Sequence, residues 1–182
     1  MHCPSKEDRV HLTRLLPAAL LLFPLAAHAD PDLASIGLGG TDILNQQSRT
    51  AGDFRLEYRF GVSLVPFLED YIKVKPLIAG ETTSRQSVFG GGGIWLDIPI
   101  GKHFALTPQF VAGGYGQGNG KNLGSSIEFR STFEAGYIFD NQSRLSFSFG
   151  HTSNAGITRR NPGTEAAVIS FQIPIVNLIG RK

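Results

Sequence analysis

His151, Ser153 and Glu165 bring an imidazole, a hydroxyl and a carboxylate close together near the end of the chain. These are the group types that a general base, a nucleophile and an orienting acid require. Two alternating runs flank them. In the first, Leu145, Phe147 and Phe149 alternate with Ser146, Ser148 and Gly150; in the second, Ala167, Ile169, Phe171 and Ile173 alternate with Ala166, Val168, Ser170 and Gln172. Side chains on a strand alternate between its two faces, so His151 and Ser153 extend the apolar face of the first run, and Glu165 extends that of the second. Gly156, Pro162 and Gly163 supply turn chemistry between the runs. Paired as an antiparallel hairpin, the runs set all three groups on one face. Residues two apart on a strand are roughly 6.5 Å apart, so His151 can reach the Ser153 hydroxyl while Glu165 approaches the imidazole from across the hairpin. Asn154 and Asn161 are nearby amide donors for an oxyanion. Such a set allows esterase chemistry. No Gly-x-Ser-x-Gly elbow surrounds Ser153, and a His-x-Ser pair at a strand end is more often solvated than catalytic, so spacing alone leaves both readings open.

The remaining chain must supply the scaffold. Phe54, Leu56, Tyr58 and Phe60 alternate with Arg55, Glu57 and Arg59, and Ile127, Phe129, Phe133, Tyr137 and Phe139 are opposed by Glu128, Arg130, Thr132 and Glu134. One face is apolar and aromatic, the other charged in both signs. A soluble sandwich would solvate the charges; a membrane barrel would turn the apolar face to lipid and pair the charges in its lumen. Eight strands are predicted, at about 33–44, 53–64, 70–80, 86–100, 103–115, 126–139, 144–154 and 164–175. An even count with connections alternating between short and long is the pattern of outer-membrane barrels. The turns at 101–102 and 140–143 are tight, the connections at 114–125 and 154–164 are long, and the one around Pro66 and Glu69 reads as short. The turn at 81–85 fits the alternation least well.

The first 29 residues read as a cleaved secretory signal: Lys6, Arg9 and Arg14 precede an apolar run at 15–27, and Ala27-His28-Ala29 is a small-x-small cleavage site. That run is too short to span a bilayer as a helix. Residues 30–182 are then one domain. Cys3, the sole cysteine, falls within the removed segment, which excludes disulfides and thiol chemistry from the mature chain. Near-balanced charge, 17 Lys+Arg against 15 Asp+Glu in the full chain, gives no footprint for nucleic acid. The glycine run at 90–93 lacks a following Gly-Lys-Ser/Thr and is flanked by strand residues, so it marks a close approach of backbones and not a phosphate loop. No metal motif is present, and no cofactor is expected.

The expected fold is therefore all-β: an eight-stranded antiparallel transmembrane barrel of the outer membrane, too narrow for a channel. With a periplasmic N-terminus, the seventh strand ends at the cell exterior, so His151, Ser153 and Glu165 sit on the outer wall near the outer leaflet. A charged side chain there costs about 0 to 1 kcal/mol, far less than at the midplane. A non-catalytic barrel serving membrane integrity or adhesion shares this fold, and a soluble periplasmic binding barrel would need the apolar parity turned inward. The stretch after Ile175, Asn177-Leu178-Ile179-Gly180-Arg181-Lys182, departs from the terminal aromatic residue usual in outer-membrane barrels.

His151, Ser153, Asn154, Ala155, Gly156, Asn161, Pro162, Gly163 and Glu165 closely resemble the signature of the outer-membrane lipid A 3-O-deacylases of the PagL type. Elsewhere the likeness rests on length and architecture. The resemblance implies hydrolysis of the ester-linked hydroxyacyl chain at the 3-position of lipid A, with lipopolysaccharide as substrate. It implies Ser153 as nucleophile, His151 as base and Glu165 as orienter. Asn161 then supports the oxyanion with backbone N–H groups around Ala155 and Gly156, and Asn154 acts as a positioning residue. Arg159 and Arg160, in the same loop, could meet the lipid A phosphates, although a plain solvated loop is the better account of them. A homodimer is compatible with this assignment.

Overall fold

The computed structural model describes residues 30–44 and 50–175; residues 1–29, the expected signal, and the stretch after Ile175 lie outside the described residues. Eight strands follow one another around a closed antiparallel barrel. They are β1 (Asp32–Thr41), β2 (Ala51–Arg59), β3 (Lys73–Thr83), β4 (Val88–Ile100), β5 (Phe104–Gly116), β6 (Ile127–Ile138), β7 (Arg144–Ser153) and β8 (Thr164–Ile175). Closure is by β1 against β8, with Ile36 opposite Phe171.

The barrel is inverted relative to a soluble one, because the strand alternation faces lipid outside and paired charge inside. On β7, Ser146 is 3% exposed and its neighbour Phe147 is 55% exposed. The same parity leaves Leu38, Leu56, Ile78, Phe133 and Ile169 on the outer wall. Inside, Arg59 is held by Glu57 and Glu134, Arg130 by Glu57 and Glu81, and Lys75 and Arg144 by Asp97. The indole of Trp95 fills the lumen between the Lys75 ammonium and the Arg59 and Arg144 guanidinium groups. A small apolar cluster of Leu33, Leu77, Phe89 and Val111 completes the packing.

The glycine run does what close approach demands. A Cβ on Gly91 would lie 2.1 Å from the Ala112 carbonyl oxygen, and one on Gly93 would lie 1.9 Å from that of Phe110. Only residues without a Cβ let β4 and β5 curl this tightly.

Two connections differ from expectation. β2 ends at Arg59, not near 64, and β3 begins at Lys73, so the connection at 60–72 is long and holds a 3₁₀ turn over Pro66–Leu68. The cause lies in the N-terminal segment, which crosses beneath: a Cβ on Gly61 would lie 1.8 Å from the Asp30 carbonyl oxygen, and the Gly61 N–H donates to Asp32 Oδ1. At the opposite end β3 runs on to Thr83, leaving only 84–87 as a tight turn. The long connections at 117–126 and 154–163 share that end of the barrel, where β1 ends at Thr41 and β2 begins at Ala51.

Candidate active site

Hairpin register decides which groups meet. In the β7–β8 ladder His151 stands directly opposite Glu165, and His151 Nδ1 lies 3.1 Å from Glu165 Oε1. An ionised carboxylate only accepts, so Nδ1 carries the proton of the neutral ring and Nε2 presents its lone pair. The imidazole is 50% exposed and the carboxylate 25%, an outward, half-wet pair whose value is orientation more than stability. The backbone of Glu165 is itself anchored: its carbonyl accepts from the Asp42 N–H at 2.7 Å and the Ile43 N–H at 3.4 Å. Thr164 adds a hydroxyl contact to Thr41 across the same seam.

Ser153 closes β7 opposite Phe129 and shares the outward face of His151. Among the described residues its hydroxyl makes no hydrogen bond, so it is free to rotate toward Nε2. Catalytic hydrogen bonds commonly tighten only when substrate is bound.

The chain then reverses through a tight turn in which the Ile157 N–H donates to the Asn154 carbonyl at 3.0 Å. Ala155 and Gly156 both take positive φ, 51° and 82°, as a type I′ turn requires. For Ala155 this is a strained conformation beside the proposed nucleophile.

The amides of this loop have distinct roles. Asn154 is fully buried, and its Nδ2 group lies 3.0 Å from the Leu123 carbonyl, 3.0 Å from Thr158 Oγ1 and 2.8 Å from the Arg160 carbonyl. Its Oδ1 accepts from the Gly156 N–H at 3.0 Å. Neither the Asn154 amide nor the Gly156 N–H is left for an oxyanion; both organise the loop. Asn161 is different. Its Oδ1 accepts from the Asn154 N–H at 3.1 Å, which turns its Nδ2 donors the other way, toward solvent. The Ala155 N–H likewise has no acceptor among the described residues.

A contact that residue spacing did not announce braces the loop. The connection between β5 and β6 packs on it through Leu123 and Gly124: Thr158 Oγ1 is 3.1 Å from the Gly124 carbonyl, and a Cβ on Gly124 would lie 1.9 Å from the Arg160 carbonyl oxygen. In sequence this stretch reads only as glycine-rich loop, and no local signal ties it to residues 154–160. Arg159 and Arg160 project exposed side chains that form no ion pair among the described residues.

The barrel has solved counterparts. A crystal structure of the outer-membrane enzyme PagL matches with a TM-score of 0.60 at 21% identity, covering 79% of this chain and 99% of that one. A de novo designed transmembrane β-barrel matches with a TM-score of 0.54 at 9% identity, covering 82% of this chain and 98% of the other. No curated protein sequence matches. Architecture and inverted parity thus define a small transmembrane barrel of the outer membrane. The sequence pattern of the lipid A 3-O-deacylase (PagL) family matches residues 79–174, more than half of the chain, and the chain belongs to that family of outer-membrane carboxylic ester hydrolases.

Proposed function

We propose that this protein hydrolyses the 3-O-linked acyl chain of lipid A with Ser153, His151 and Glu165 acting as a triad on the outer wall of the barrel, level with the outer leaflet. The observation that supports this reading is the 3.1 Å contact between His151 Nδ1 and Glu165 Oε1, made on the outward face that also carries Ser153. His151 Nε2 takes the Ser153 proton as Oγ attacks the ester carbonyl. The tetrahedral oxyanion is met by the Asn161 Nδ2 donors and the Ala155 N–H. Collapse expels the sugar 3-oxygen, which receives the proton from the imidazolium. Water then attacks the acyl-serine by the same base, releasing a fatty acid and restoring Ser153. Glu165 holds the ring and stabilises its cationic form. A preorganised oxyanion donor is typically worth about 3 kcal/mol in such a transition state.

The test is chemical. Incubated with purified lipid A in mixed micelles, the protein should release one hydroxyacyl chain from the 3-position and leave the amide-linked chains in place, as read by mass spectrometry of the product. An amide is the poorer leaving group at the same site. No deacylated product from a folded barrel would instead support a non-catalytic role in membrane integrity or adhesion.

A further inference from the structure

Gly163 precedes β8 in the same loop, with φ +59°. It is buried, and the imidazole lies where its side chain would be. A Cβ built there would lie 2.5 Å from His151 Cε1 and 2.9 Å from Nε2, with the Thr152 carbonyl at 3.4 Å. The ring is therefore bounded on two sides: the Glu165 carboxylate holds its Nδ1 corner, and Gly163, lacking a Cβ, lies beside its Cε1–Nε2 edge and leaves that edge open. That second edge carries Nε2, the nitrogen to which the triad reading assigns the serine proton.

We infer that Gly163 is a positioning residue for the proposed base: its missing side chain is the space the imidazole occupies, and any Cβ would displace the ring and cover the nitrogen that takes the serine proton. The inference rests on the triad reading above. Two demands for glycine coincide here and can be separated. The positive φ is a backbone demand, which asparagine also tolerates. Clearance from the imidazole is a side-chain demand, which asparagine fails. Gly101, in the β4–β5 turn, has φ +65° with nothing within 4 Å of its Cβ direction, so it carries the first demand without the second.

The experiment compares Gly163→Ala, Gly163→Asn and Gly101→Ala in the full-length protein refolded into lipid vesicles. Displacement of a reacting group by about 1 Å costs on the order of 100-fold, so both Gly163 variants should lose about that much kcat with KM little changed. Gly101→Ala should keep wild-type turnover while sharing the backbone strain. A stability cycle reads the contact without using turnover: Gly163→Ala should lower the urea unfolding midpoint more when His151 is present than in a His151→Ala background, because removing the ring removes the clash. Equal shifts in the two backgrounds, or Gly163→Asn with wild-type kcat, would overturn the inference. Failure of the hydrolase reading would look different, as a folded wild-type protein without turnover.

Discussion

The lumen and the outer rim use the same kinds of group to opposite ends. Inside, Arg59 is buried and doubly paired, with Glu134 at 2.7 Å and 2.8 Å and Glu57 at 2.9 Å and 3.1 Å. Glu134 in turn accepts from Gln109 and Gln172. At the rim, His151 makes one contact to Glu165, stands half exposed, and keeps its second nitrogen open. A buried ion network must be closely satisfied or it costs stability. A site for chemistry must leave one valence unsatisfied, and it can do so cheaply only where water or substrate reaches it. On the proposed reading, the barrel thus separates structural charge from chemical charge by strand parity.

The largest expected effect lies at the rim. Ser153→Ala and His151→Ala should each reduce turnover by about 10⁴-fold or more, with Glu165→Ala costing less, because the orienter of a triad is the least severe loss. The double and triple variants should be little worse than the worst single one. All should remain heat-modifiable barrels on gels, since none of the three side chains belongs to the lumen packing. Near wild-type hydrolysis by Ser153→Ala would remove the nucleophile and merge the rim with ordinary surface.

The lumen should respond the other way. Glu134→Ala leaves the Arg59 guanidinium with Glu57 alone, removes the acceptor of the Gln109 side chain and leaves Gln172 donating to Ser146 only. Breaking one side of a buried pair costs about 3–5 kcal/mol, read as a lowered urea midpoint in vesicles. The fraction that remains folded should hydrolyse substrate at the wild-type rate. A proportional fall in kcat of the folded fraction would show that lumen charge and rim chemistry are coupled.

How much of this could be read from residues alone follows the same division. The β7–β8 hairpin was legible because lipid outside and polar packing inside impose strict alternation, and parity carries straight through to His151, Ser153 and Glu165. That rule also bears on Asn154: one residue past Ser153 it takes the opposite parity, and the structure buries it as the staple of the loop. The connection at 60–72 was not legible, because apolar and charged residues keep alternating up to Phe60 while the backbone has already bent around Asp30. Nor was the packing of Gly124 on Arg160, since loop-to-loop contact leaves no periodic trace. Gly163 reads in sequence as a turn residue, and only the closed hairpin brings it against the ring.

The smallest effect should come from Arg159 and Arg160, which stand between the two regions in character: charged like the lumen, exposed like the rim, and paired with neither. Their backbone is pinned, because the Arg160 carbonyl accepts from the side chains of Asn154 and Thr158, while the guanidinium groups are free to swing. The loop therefore presents two exposed cations beside the proposed site without needing them for its own conformation. If they meet the phosphates of lipid A, each exposed pair is worth at most about 1 kcal/mol, so replacing both with Ala should weaken action on bisphosphorylated lipid A roughly 5- to 30-fold. Hydrolysis of an uncharged ester should be unchanged, since the triad and Asn161 are untouched. The comparison is a ratio of kcat/KM values for two substrates in the same micelles, raised salt shrinking the difference by screening. Equal losses on both substrates would make the pair ordinary loop residues.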